Sequence, residues 1–135
     1  MHTTNYYNTF IELAEDCPVQ EAEVPTQKGE DKTVAVLQFE MILDQPYHYT
    51  SDEVIFHAYC VKNGLEHHLE AEREAFFSKG QACLRASPLP KRYGWGIHHN
   101  AEGKVALYPA ESKEYEGFIA DASVKKIKAM RSKKK

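Results

Sequence analysis

Side chains alternate most sharply in residues 92–109, RYGWGIHHNAEGKVALYP. Trp95, Ile97 and His99 fall on one side of an extended chain, and Gly94, Gly96 and His98 on the other. Val105, Leu107 and Pro109 alternate in the same way with Ala106, Tyr108 and Ala110. Between the two runs, Asn100-Ala101-Glu102-Gly103 carries the Asn and Gly of a type I turn followed by a left-handed glycine bulge. That turn sets a register: Asn100 opposite Lys104, His98 opposite Ala106, Gly96 opposite Tyr108, Gly94 opposite Ala110. The face holding Trp95, Ile97, Leu107 and Val105 is then core.

Elsewhere the period is helical. From Thr33, Val34, Leu37, Gln38 and Met41 share a stripe that Val36, Phe39 and Leu43 widen, which predicts a largely buried helix. Thr50 and Glu53 have capping-box spacing at the start of a second helix that Gly64 should end. Within it Val54, Ala58 and Val61 form one stripe, and Ile55, Tyr59 and Lys62 the adjacent one. EHHLEAEREAFFSKG predicts a third helix, closed near Gly80, and SKEYEGFIAD a short one after the hairpin. Pro88 and Pro90 should break any helix and feed extended chain into the hairpin. NTFIELAEDCPV suits a strand or a short helix equally, as does VKKIKAM, and the acidic, proline-bearing residues 18–32 suit an exposed connection. The expected architecture is a single α+β domain over residues 1–135. Three N-terminal helices pack on a small antiparallel sheet containing the 92–109 hairpin, and a flexible basic tail begins at about 132.

Composition narrows the function classes. The net charge of −3 hides an asymmetry: residues 125–135 hold seven Lys or Arg and no acid, which leaves residues 1–124 at −10. A body so acidic repels phosphate at long range, so the lysine run argues little for nucleic acid. No apolar run approaches the roughly 18 to 20 residues of a membrane span, and MHTTNYYNTF lacks the pattern of a signal peptide. Cys17, Cys60 and Cys83 are odd in number and widely spaced, which fits reduced thiols rather than a disulfide framework. A cytoplasmic protein is expected.

The second face of the hairpin is the first candidate site. Its small residues could floor a ligand, with Arg92, Lys104 and Arg85 attracting an anion and His98 or Tyr108 supplying a directed hydrogen bond. The competing reading is simple packing: Tyr108 lies across Gly96 and a helix covers the rest. Cys83, in GQACLRASP, is the best nucleophile if its loop brings it near Arg85 and His98, but no family signature surrounds it. His57 and Cys60 share a helical face without further ligands in view, so no metal is assigned. No phosphate loop, G-x-S-x-G or H-E-x-x-H occurs, and no cofactor is implied.

Several stretches, NTFIELAEDCP, KTVAVLQFEM, YTSDEVIF, FFSKGQACLRASPLPKRYGWGIHH and KAMRSKKK, together resemble a small bacterial family, DUF6157, over nearly the whole chain. That resemblance implies no activity and no site residues. The last third is also similar in topology to YdhG-like domains, some of them frataxin-like iron chaperones. This second similarity would imply iron on Glu21, Glu23, Glu30 and Asp31. The expectation from the residues themselves is a non-enzymatic binding module for a small anionic ligand or a protein partner, with a small enzyme using Cys83 or His98 as the alternative.

Overall fold

The computed structural model describes residues 2–27, 29, 32–65 and 69–132. Along them run β1 (Thr9–Glu12), α1 (Val34–Asp44), α2 (Ser51–Asn63), α3 (Glu70–Phe77), α4 (Pro88–Arg92), β2 (Trp95–His99), β3 (Val105–Pro109), α5 (Lys113–Ala120) and β4 (Lys125–Lys128). The fold is α+β, but the helices are not a purely N-terminal block, because β1 precedes them and becomes an inner strand of the sheet. The sheet order is β3-β2-β1-β4, with β1 antiparallel to β2 and parallel to β4. It is therefore mixed rather than purely antiparallel. Sequence alone leaves β1 and β4 undecided because each is four residues long, too short for a local period to outweigh the partners that hold it in place.

The hairpin has the expected register, from Trp95 opposite Pro109 to His99 opposite Val105. Gly103 adopts φ +80°, and the Asn100 side chain accepts from the backbone N–H groups of Glu102 and Lys104, both at 2.9 Å. One sheet face carries Ile11, Trp95, Ile97, Leu107 and Val105 into a core with Phe39, Ile42, Val54, Leu84 and Leu89. α1 and α4 cover this side. A smaller cluster of Phe56, Cys60 and Phe77 joins α2 to α3. In α1 the buried set is Ala35, Val36, Leu37, Gln38, Phe39 and Ile42, whereas Val34 and Leu43 are exposed, so the buried stripe is rotated from the expected one.

Caps follow the sequence closely at α2. Thr50 accepts from Glu53 N while Glu53 Oε1 accepts from Thr50 N, and Gly64 ends the helix at φ +66°. The expectation that Pro88 and Pro90 exclude a helix is wrong. Ser87 caps α4 by accepting from Leu89 N, and both prolines sit in the first turn, where a missing N–H costs nothing. The third helix stops at Phe77, short of Gly80, while His67 and His68 lie outside the described residues.

Residues 18–27 are tied to the sheet rather than loose. Glu23 N donates to Tyr93 O and Trp95 Nε1 donates to Glu23 O, each at 2.8 Å. Gly94, at φ +81°, has no room for a Cβ beneath this segment: one would come within 3.0 Å of Glu21 O and of Val19. The residues before β1 are held just as firmly. The Asp52 carboxylate, at the start of α2, accepts from Thr3 Oγ1, Thr4 N and Thr4 Oγ1 at 2.6–2.7 Å, a clamp no sequence pattern announces. Of the basic tail, residues 133–135 lie outside the described residues, and Ser132 N donates to the Asp16 carboxylate.

Candidate functional site

The second hairpin face is covered. α5 lays Tyr115 and Phe118 over it, and Phe10 from β1 fills the space between: Phe10 and Phe118 stack at 4.9 Å, and Phe10 meets Tyr115 edge-on at 5.0 Å. Gly96 is bare because these rings occupy the volume a side chain would need. His98 stacks on Phe118 at 4.2 Å, and its Nδ1 shares a hydrogen bond of 2.8 Å with Tyr47 Oη, which bonds Tyr108 Oη at 2.7 Å. His98 and Tyr108 are thus linked through Tyr47, a residue that no sequence pattern singles out. Tyr47 holds φ +57°, a left-handed conformation rare for an aromatic residue. Burial, reinforced by Tyr108, pushes the Tyr47 phenol well above its usual range. Burial lowers the His98 imidazole against the opposing pull of Asp121. The three side chains form one continuous hydrogen-bonded bridge.

Among the described residues, the polar contacts of the cations assigned to this face are made to other groups. Arg92 is exposed at the end of α4. The Lys104 ammonium lies 3.8 Å from Glu102, and its backbone bridges to Thr50. Arg85 donates from Nε to Lys128 O at 2.8 Å and accepts Met130 N on its own carbonyl, closing the end of β4. Among the described residues no hydrogen bond or ion pair links any of the three to His98 or Tyr108.

A cavity of about 420 Å³ opens instead between α1, α2, Phe76 of α3 and residues 81–88. Val34 and Gln38, one helical turn apart, supply the α1 wall, and Ile55, Ala58, Tyr59 and Lys62 the α2 wall. The lining is mostly apolar with a few polar groups, and the size is that of a small-molecule site. Ser87 orients one of its polar groups: while capping α4 it donates to Gln38 Oε1 at 2.6 Å. Gln38 is only 5% exposed, yet its Nε2 is not a buried unpaired atom; among the described residues those are the His99 ring nitrogens. Other amides of the wall are engaged, Asn63 Nδ2 with Tyr59 O and Gln81 Nε2 with Phe76 O. A glutamine in the middle of an apolar stripe is the sequence signal for this site.

Cys83 stands in the same wall, with Tyr6 Oη 3.2 Å from its sulfur. Burial and the neighbouring sulfur push the Tyr6 phenol up to about 12. The histidine on this side is His99, not His98, since consecutive strand residues face opposite ways. His99 meets Tyr6 edge-on at 5.4 Å, is fully buried, and neither ring nitrogen has a hydrogen-bond partner of good geometry. Burial outweighs the Ile97 and Thr9 carbonyls and pushes its imidazole down to about 4, so it is uncharged.

Among the described residues no three or more His, Cys, Asp or Glu side chains converge as a metal site. Glu21 and Glu23 are exposed, while Glu30 and Asp31 lie outside the described residues. Among the described residues no helix is long and apolar enough to cross a membrane. In comparison with known proteins, the model of a family of unknown function matches residues 1–135. No curated protein and no solved structure matches.

Proposed function

Because the chain belongs to DUF6157, a family of unknown function, we propose its role from the geometry: a non-enzymatic binding module that takes a small anionic ligand into the cavity between α1 and α2. The observation that carries this reading is the cavity wall itself, mostly apolar, with the Gln38 amide and the Lys62 side chain among its few polar groups. A carboxylate or carbonyl oxygen in the cavity can accept from the Gln38 amide nitrogen, and the apolar walls of Val34, Ile55 and Phe76 favour an apolar body behind it. Lys62 is the cation of this site, with its ammonium held near the rim by Lys32 O at 3.1 Å. Three unbridged thiols support a cytoplasmic setting.

The test is a titration of the full chain with small carboxylates of increasing apolar size, followed by the side-chain amide resonances of Gln38. A saturable shift of those resonances is expected, lost in Gln38→Leu. Shifts confined to exposed lysines, with the Gln38 amide unmoved across the series, would overturn the reading.

A further inference from the structure

We propose that the N-terminal segment, residues 2–7, is an acid-released strap, unlatched when a proton reaches the buried imidazole of His99. His99 ends β2 with no exposed surface, and neither ring nitrogen has a hydrogen-bond partner. An imidazolium there carries a charge and two N–H donors into the interior, at a cost the neutral ring escapes. A protonated His99 is therefore driven toward water.

The groups around the ring set the direction. β1 presents Thr9, β3 presents Val105, and β2 itself adds the Ile97 carbonyl. The titratable neighbours are His98, the adjacent residue of β2, whose charge opposes a second one, and Tyr6, edge-on at 5.4 Å. None of these is a carboxylate that could stabilise an imidazolium. Behind Tyr6 stand Cys83, 3.2 Å from its phenol, and the charge of Arg85. Thr9, Ile97 and Val105 are buried in the sheet, whereas Tyr6 is half-buried, so the path to water runs past Tyr6.

The segment carrying Tyr6 can leave without breaking the sheet. Asn8, at φ +49°, turns the chain between strap and β1 and stays tied to Asn100 O and Lys125 N. Beyond it the strap is held by Thr3 and Thr4 on the Asp52 carboxylate, by His2 N on Phe77 O, and by Tyr6 Oη at Cys83. Chain ends with few contacts open at the lowest free energy. Because Cys83 lines the α1/α2 cavity, release of Tyr6 also loosens that wall; this consequence rests on the cavity reading above, and the release itself does not.

Burial holds the imidazole at about 4 in the fold against 6.5 when exposed, so the closed strap is fully favoured above pH 6.5 and opening gains a proton below it. The opening constant should then rise about 70-fold between pH 7.5 and 4.5. Amide exchange of the full chain is followed by NMR across that range, each rate being divided by the intrinsic rate at the same pH. Protection of the Thr4 amide is expected to fall about 70-fold, without dependence on low urea, since opening a strap exposes little surface. The fall should vanish in His99→Leu and persist in Asp52→Asn, which keeps an acceptor for Thr4 N but cannot titrate. Protection at Thr4 that ignores pH would overturn the proposal. So would a urea dependence equal to that of the β2 and β3 amides, because the strap would then leave only with the whole fold; both readings need only the parent chain. A fall that survives in His99→Leu, or is lost in Asp52→Asn, assigns the release to Asp52 and overturns it as well. A carboxylate titration that leaves the Gln38 amide unmoved removes the consequence for the cavity and leaves the strap standing.

Discussion

Adding one methyl group at Gly96 tests the packing of the covered sheet face. The new Cβ would overlap Phe10 Cζ and lie 2.7 Å from Tyr115 Cε2. Neither ring can yield cheaply. Phe10 is fully buried between Tyr115 and Phe118, and Tyr115 Oη is fixed at 2.9 Å as the acceptor for Leu13 N. Overpacking of this kind costs about 1–3 kcal/mol. Ala also stabilises by reducing unfolded-state freedom, by about 0.4–1 kcal/mol, which leaves Gly96→Ala destabilised by roughly 1–2 kcal/mol. Gly117 is the built-in contrast: it lies inside α5 with nothing within 4 Å of an added methyl, so Gly117→Ala should gain about 0.5–1 kcal/mol. The same chemical change is therefore expected to move the urea midpoint in opposite directions, with the slope unchanged. A Gly96→Ala chain as stable as the parent would refute the packing argument and reopen that face to a ligand.

Two further perturbations probe buried polar groups. His99 titrates at about 4 in the fold against an ordinary value of 6.5, so the folded pKa is depressed. Stability is full above 6.5 and is lost as pH falls from there toward 4, by up to about 3 kcal/mol. His98 adds a smaller effect of the same sign. His99→Leu should flatten most of that acid slope, and an unchanged slope by denaturant melts would place the titration elsewhere. Asp52→Ala removes the acceptor for Thr3 Oγ1, Thr4 N and Thr4 Oγ1 and should cost about 2–3 kcal/mol. Hydrogen exchange at the Thr4 amide should rise sharply; unaltered protection would show that the N-terminal segment is held by other contacts.

What is legible in the sequence is local. All five hairpin pairs follow from period-two alternation and one turn, and the α2 capping box from two residues three apart. β1 and β4 are not decidable, because Thr9–Glu12 becomes a strand only through partners at Ile97–His99 and Lys125–Lys128. α4 defeats the rule that proline breaks helices, because at Pro88 and Pro90 no preceding helical turn exists for the ring to disturb. The site divides in the same way. Cys83 is the nucleophile the sequence singles out, and it does line the cavity, yet the expected partner His98 lies across the sheet, and Tyr6 arrives from a segment 77 positions away. The Ile55, Tyr59 and Lys62 stripe is visible on α2, but the opposing wall depends on how α1 and residues 81–88 pack.

The position of β1 also governs the order of assembly. Thr9 pairs with His99 on one edge and with Lys125 on the other, so this early strand finds its neighbours only when much later segments are available. Closing such long intervals costs chain entropy before any contact compensates for it, which places this protein with the slower-folding mixed topologies. During ribosomal synthesis, α1 and α2 emerge and can pair while β1, with Phe10 and Ile11 unburied, still presents two open edges. Translation through the hairpin ends the first exposure, and translation of β4 ends the second. The vulnerable interval for aggregation is thus set by elongation rate downstream of residue 63, and chaperone engagement in that interval should centre on residues 9–12.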